Sequence, residues 1–202
     1  MNDPPSVPDR SLRLHLIRHG ETAWSLSGQH TGRTDIPLTA GGEAQARALE
    51  PRLRLIRFDA VFTSPALRAR RTCELAGPVG PAATIDPDLA EWDYGLYEGR
   101  TSRDIRKDRP GWNCYRDGCP GGESPDDVSH RADRLIARLC RLSENVALFS
   151  HGEFGCSLAA RWIGLPVMQA AHFQLATASL SILGFNPDHP GLRVIAQWNV
   201  TR

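Results

Sequence analysis

The chain has almost no lysine: Lys107 is the only one, and the other basic residues among the 24 are arginine. Arginine holds planar phosphate and carboxylate groups better than lysine does, but codon bias would produce the same skew and is the expected cause of most of it. Charge of one sign is lacking as well. The 24 basic and 23 acidic side chains leave a formal charge of +1, which excludes a protein that holds nucleic acid by bulk charge. No stretch approaches the roughly 20 apolar residues of a membrane span, so no membrane partner is expected. The first ten residues carry Pro4, Pro5 and Pro8 and no apolar run, unlike a signal peptide.

Cysteine is sparse. Cys73, Cys114, Cys119, Cys140 and Cys156 are odd in number and scattered, which excludes a disulfide scaffold. Cys114 and Cys119 with His130 fit no common zinc spacing. The five are read as free thiols, and the cytoplasm is the expected compartment.

What is present is ordinary for a globular protein: 202 residues, 41% hydrophobic and 23% charged, enough chain to bury a core without staples. Residues 1–11 read as a polar tail and 12–202 as one domain. Leu12, Leu14 and Leu16 alternate into Ile17, the period of a strand. Residues 39–55 read as one helix capped by Thr39, 58–62 as a second strand, and Ser64-Pro65 as the cap and first turn of a helix ending at Gly77. A brief strand is expected at 83–85, and residues 100–123 read mostly as loop with one short helix near 102–107. Ser124-Pro125-Asp126-Asp127 is a helix start, followed by an apolar face of Val128, Leu135, Leu139 and Leu142. Strands at 146–149, 178–185 and 192–198 complete the pattern, with a helix after the first of them. Strands alternating with helices predict an α/β fold of three layers, α/β/α, with a mostly parallel sheet.

Two places share one grammar, an apolar strand followed by His-Gly: Arg18-His19-Gly20-Glu21 and Ser150-His151-Gly152-Glu153. Open α/β sheets bind ligands at the carboxyl ends of their strands, and glycine there permits close backbone approach. Two such histidines in one sheet, one beside Arg18, point to phosphate. A histidine can form a covalent phosphoryl intermediate. That chemistry needs cationic donors on the phosphoryl oxygens and an acid for the leaving oxygen. Arg68, early in the helix after the second strand, is a second donor, whereas Arg70 and Arg71 read as solvated helix-face residues. The acid lies among the carboxylates of 88–99, and spacing alone does not choose between them. Two arginines would hold the transferring group without a metal or cofactor.

These residues resemble the histidine phosphatase superfamily, branch 1, also called phosphoglycerate-mutase-like. The match is ordered: Arg18-His19-Gly20-Glu21-Thr22; Thr31-Gly32 with Thr34-Asp35 and Pro37-Leu38-Thr39; Thr63-Ser64-Pro65 with Arg68-Ala69; residues 91–99; Gly121-Gly122-Glu123-Ser124; and Ser150-His151-Gly152. The resemblance implies that His19 is the phosphorylated nucleophile, that Arg18, Arg68 and His151 line the phosphate pocket with Gly152 beside them, and that Glu91 is the general acid. Thr31 and Gly32 match residues that approach the substrate phosphate in the mutases. Ser25 stands where the mutases carry Asn, so that contact is altered. Within the superfamily, Trp24-Ser25, residues 91–99 and the stretch from Trp112 to Cys119 are similar to fungal sedoheptulose-1,7-bisphosphatase and related bacterial broad-specificity phosphatases.

The expected function is hydrolysis of small phosphorylated metabolites, sugar phosphates among them. A phosphoglycerate-type mutase and a non-catalytic phosphate-ligand-binding protein are the alternatives. The resemblance favours the phosphatase, because the phosphoglycerate mutases of the family carry a much longer segment between the positions matching Glu91 and His151, as expected of an enzyme that needs added lid structure. The basic residues Arg100, Arg103, Arg106, Lys107, Arg109 and Arg116 could receive a second anion on the substrate, or could form a solvated charged loop. Dimers are common in the family, so a homodimer is expected by analogy.

Overall fold

The structure, a computed structural model, describes residues 11–201; all but Ser11 of the expected tail lies outside them. Six strands form one sheet: β1 (Arg13–Arg18), β2 (Ala60–Thr63), β3 (Thr84–Ile85), β4 (Asn145–Ser150), β5 (Leu180–Phe185) and β6 (Arg193–Val200), in the order β3-β2-β4-β1-β5-β6. β3, β2, β4 and β1 pair in parallel, whereas β5 is antiparallel to both β1 and β6. Only β5 therefore runs against the rest, and the sheet is mostly parallel as expected.

Alternation along β1 and β4 divides the core between the two faces. Leu14, Leu16, Val146 and Leu148 join one apolar cluster with Val128, Leu135, Phe154 and Leu158. These come from α7 (Pro125–Leu139) and α8 (Gly152–Trp162). Ile17, Ala147 and Phe149 join a second cluster with Leu49, Leu53 and Cys73, contributed by the turns around α2 (Ala40–Ala48), α3 (Glu50–Leu53) and α4 (Leu67–Ala76). Helices thus cover both faces. The register places Arg18 opposite Ser150, so the two His-Gly pairs leave neighbouring strands side by side.

Several boundaries differ from expectation. The helix expected over 39–55 starts at the Thr39 cap, whose hydroxyl accepts from Gly42 N at 2.9 Å, but it splits into α2 and α3. Pro51 has no N–H to continue the ladder and crowds the preceding turn. The second strand begins two residues later than read and ends one later. Ser64 does not cap the next helix: α4 begins at Leu67 with Ala66 as its cap residue. The first-turn donor Leu67 N is taken by the Asp35 carboxylate at 2.7 Å, a partner supplied from 32 residues upstream, which leaves Ser64 for the site. Ser124 caps α7 with Asp127 in a reciprocal capping box. The 100–123 segment holds α5 (Ser102–Asp108) and also α6 (Cys114–Asp117). It is packed as well, since Ile105, Trp112 and Cys114 are buried and the Trp112 ring meets Tyr97 and His30 edge-on. The remaining short helix, α1 (Ala23–Ser27), follows the first His-Gly.

Candidate active site

The two histidines meet at the carboxyl ends of β1 and β4, with ring centroids 5.2 Å apart. His19 is 5% exposed, and its Nδ1 lies 2.7 Å from the carbonyl oxygen of Gly20. A carbonyl only accepts, so Nδ1 carries the proton and Nε2 keeps its lone pair. Burial, then the charges of Arg18 and Arg68, hold the imidazole well below its ordinary pKa. His19 is therefore neutral with one nitrogen free to attack.

His151 has no exposed surface, and its Nε2 lies 2.7 Å from Ser64 Oγ. Ser64 Oγ accepts from Ala66 N at 3.2 Å, and its own proton, which has no other acceptor among the described residues, is satisfied by donation to Nε2. The remaining proton of the neutral ring then sits on Nδ1. Burial and the neighbouring Arg68 hold this ring well below its ordinary pKa too. Nδ1 of His151 is buried without a partner, and so are Nε of Arg18 and Nε of Arg68. Three unpaired polar atoms on residues surrounding one imidazole are costly unless a ligand meets them. Donors of this kind suit an anion.

Arg68 is 0% exposed. Nη2 donates to the carbonyls of Thr31 and Gly32 at 3.0 and 3.1 Å, and Nη1 to Thr34 O at 3.2 Å. Its backbone is tied to the first histidine: Thr72 Oγ1 donates to Arg68 O and accepts from Gly20 N. Arg18 is held by a bond from Nη1 to Leu175 O.

Glu91 comes from the turn between β3 and the 3₁₀ segment Gly95–Tyr97, yet it serves the amino end of α8. Its Oε1 accepts from Trp92 N at 2.9 Å and Phe154 N at 2.7 Å, and its Oε2 from Glu153 N at 3.2 Å. Those donors favour the carboxylate. Burial dominates, with the Glu153 charge adding to it, and the pKa is pushed up to about 7. A carboxyl poised there can give and take a proton near neutrality. Behind it, the buried Arg131 of α7 forks onto Glu123 at 2.8 and 2.7 Å and donates to the carbonyls of Asp88, Ala90 and Glu91. Ser150 Oγ donates to Leu89 O at 2.8 Å. These bonds fix the segment that carries Glu91.

A cavity of about 220 Å³ opens beside His19, lined by Arg18, Ser25, Thr31 and Glu91 together with Trp24, Gln29, His30, Tyr94, Ser102 and Glu153. Of the expected residues, His151 and Arg68 stand buried behind it. Gly152 lines an adjoining recess with Arg18 and Glu153, and Gly32 lines another with Ser64 and Glu91. Two expected contacts are altered. Gly32 N is donated to Glu98 Oε1 at 2.8 Å, and Ser25 closes the capping box of α1 with Thr22, so neither group is free for phosphate.

Ser64 was legible only as a cap. Arg131 left one trace, a charge on the apolar stripe between Val128 and Leu135. His30, which stacks on Tyr94 at 4.4 Å and meets Ser102 Oγ at 3.0 Å, left none. The thiols are not part of the centre: Cys73, Cys114, Cys119 and Cys156 are buried, and burial pushes Cys73, Cys119 and Cys156 up to about 12 and Cys114 well above its ordinary value.

The profile of the histidine phosphatase superfamily, branch 1, matches residues 14–200, and the chain belongs to that family. Among curated proteins it is 42% identical over 196 residues to an acid phosphatase of Mycobacterium tuberculosis, covering 95% of this chain and 94% of the relative. It is 38% identical over 195 residues to the sedoheptulose 1,7-bisphosphatase of Saccharomyces cerevisiae, covering 81% and 72%. It is also 34% identical over 184 residues to a protein of Salmonella choleraesuis named as a probable phosphoglycerate mutase, covering 86% and 85%. The solved structure of an open reading frame from Mycobacterium tuberculosis superposes with a TM-score of 0.89 at 39% identity, covering 95% of this chain and 98% of that one.

Proposed function

We propose that this chain hydrolyses phosphomonoesters of small metabolites, sugar phosphates among them, through a phosphohistidine, without a metal or cofactor. The observation that carries the reading is the trio of unpaired buried atoms, on Arg18, Arg68 and His151, around a neutral His19. In the first step His19 Nε2 forms a bond to phosphorus as the ester P–O bond breaks, and protonated Glu91 gives its proton to the leaving alcohol oxygen. Arg18, Arg68 and the Nδ1–H of His151 hold the equatorial oxygens as charge develops. In the second step water attacks the phosphohistidine, ionised Glu91 takes the water proton, and inorganic phosphate leaves with His19 restored.

The mutase shares the first step and differs in excluding water before the second. The short chain between Glu91 and His151 and the engaged Ser25 side chain support hydrolysis. The proposed partner is a small phosphorylated substrate, with neither nucleic acid nor membrane involved. The test is turnover in chelator of a panel containing sugar phosphates, phosphoglycerates and an aryl phosphate, with acid-labile phosphate trapped on the enzyme. Released phosphate and a trapped label lost in His19→Ala are expected. No release from any substrate would overturn hydrolysis, isomer interconversion would establish the mutase, and label surviving in the variant would move the nucleophile.

A further inference from the structure

The cavity beside His19 is unevenly charged. Arg18 is the only arginine or lysine that lines it, whereas Glu91 and Glu153 both do. The carboxyl of Glu91 is met by three backbone donors. Glu153, on the first turn of α8, makes no side-chain hydrogen bond or ion pair among the described residues, and it faces both this cavity and the recess beyond Arg18. A carboxyl without a side-chain partner among the described residues thus lines the same cavity as His19 and Glu91.

Four of the six cations that could receive a second anion are engaged elsewhere. Arg100 is paired with Asp108 at 2.5 Å, Lys107 with Asp104 at 2.7 Å and Arg116 with Asp117 at 2.8 Å. Arg106 donates Nε to Trp112 O at 3.0 Å, and Arg103 and Arg109 are exposed. None of the six lines the cavity. The charge of Arg18 and Arg68 is matched by one phosphoryl group, so a second phosphate or a carboxylate on the leaving group would face Glu153 uncompensated. Hydroxyl groups would instead find an acceptor in Glu153.

We infer that Glu153 determines specificity: the site takes monophosphates of uncharged polyhydroxy compounds and rejects esters bearing a second anion beside the scissile bond. The inference rests on the phosphatase reading and goes beyond it by naming the substrate class. It also excludes the second-anion role that the basic stretch over 100–123 suggested.

Glycerol 3-phosphate and 3-phosphoglycerate form a matched pair, since one carries a hydroxymethyl where the other carries a carboxylate. The ratio of their kcat/KM values isolates the charge, because Glu91 serves as acid for both. Wild type should favour glycerol 3-phosphate by about tenfold or more. Glu153→Gln should bring the ratio towards one, and Glu153→Lys should reverse it. A wild-type preference for 3-phosphoglycerate, or a ratio unmoved in both variants with circular dichroism unchanged, would overturn the inference while leaving hydrolysis intact. Absence of phosphate release from both esters and from an aryl phosphate would remove the phosphatase reading and this inference with it.

Discussion

The two His-Gly pairs look interchangeable in the sequence, and the structure gives them different hydrogen-bond partners. After β1, His19 turns its Nδ1–H back onto the next carbonyl and bares Nε2. After β4, His151 accepts a hydrogen bond from Ser64 at Nε2 and is left with an unpartnered Nδ1–H. In the proposed mechanism one ring attacks and the other donates, although both are buried and both are held neutral. The glycines differ in the same way. A Cβ on Gly20 would lie 2.4 Å from the carbonyl oxygen of Gly42, whereas a Cβ on Gly152 would first meet the Arg18 guanidinium carbon at 3.2 Å. The first glycine is required by packing against backbone, whereas the second stands against the Arg18 guanidinium of the proposed anion site. Identical local sequence therefore carries no role until the neighbouring elements assign one.

The sharpest way to break this comparison is to remove each ring. His19→Ala should abolish turnover, a loss of about 10⁴-fold or more. His151→Ala removes one donor to the transition state and should cost about 10²–10³-fold in kcat, with a phosphoenzyme still trappable after longer incubation. Equal losses, with no label in either variant, would show that the two histidines act as one unit. Faster turnover in His19→Ala than in His151→Ala would exchange their roles.

A smaller effect follows from Glu91. Burial raises its folded pKa to about 7, so the proton needed by the leaving group is present below that pH and lost above it. For an alkyl phosphate, kcat/KM should be high in mild acid and fall by about tenfold per pH unit on the alkaline side. His19 is shifted the other way and remains neutral until well below 6.5, so it sets no limit in that window. An aryl phosphate, whose leaving oxygen needs little protonation, should give a flatter profile. Glu91→Gln should erase the alkyl limb. The same limb on both substrates, or its persistence in the variant, would assign the ionisation to another group.

Much of this centre could be read from the chain because both histidines, Arg18 and Arg68 follow strands at short, local spacings. The layered fold was legible for the same reason: period-two runs in β1 and β4, and the Thr39 and Ser124 caps, are contained within a few residues. What escaped reading depends on long-range partners. Asp35 caps α4 across the site and thereby frees Ser64. Arg131 fixes the 88–91 segment from a helix some 40 residues away. The choice of Glu91 over Asp88 and Asp93 illustrates the point. Asp88 is engaged by Arg134 and Arg138, and Asp93 by Arg33, whereas Glu91 is left facing the cavity. Nothing in the local spacing distinguishes the three.

The glycines provide the smallest effect and the one that separates fold from site most cleanly. Gly42 stands against Gly20 from the first turn of α2, and a Cβ on Gly42 would itself come within 2.1 Å of Glu21 O. Both contacts are backbone, which cannot rotate aside as a side chain can. Gly20→Ala should therefore destabilise the protein by about 1–3 kcal/mol, as overpacked interiors do, lowering Tm by a few degrees, about 2–4 °C for each kcal/mol in a chain of this size. In Gly152→Ala the neighbour is the movable end of Arg18, so Tm should hold while the guanidinium shifts and inorganic phosphate inhibits several-fold more weakly. Thermal melts and phosphate inhibition of the two variants read these effects independently. If Gly152→Ala lost Tm and Gly20→Ala lost only phosphate affinity, the assignment of one glycine to packing and the other to the anion would be inverted.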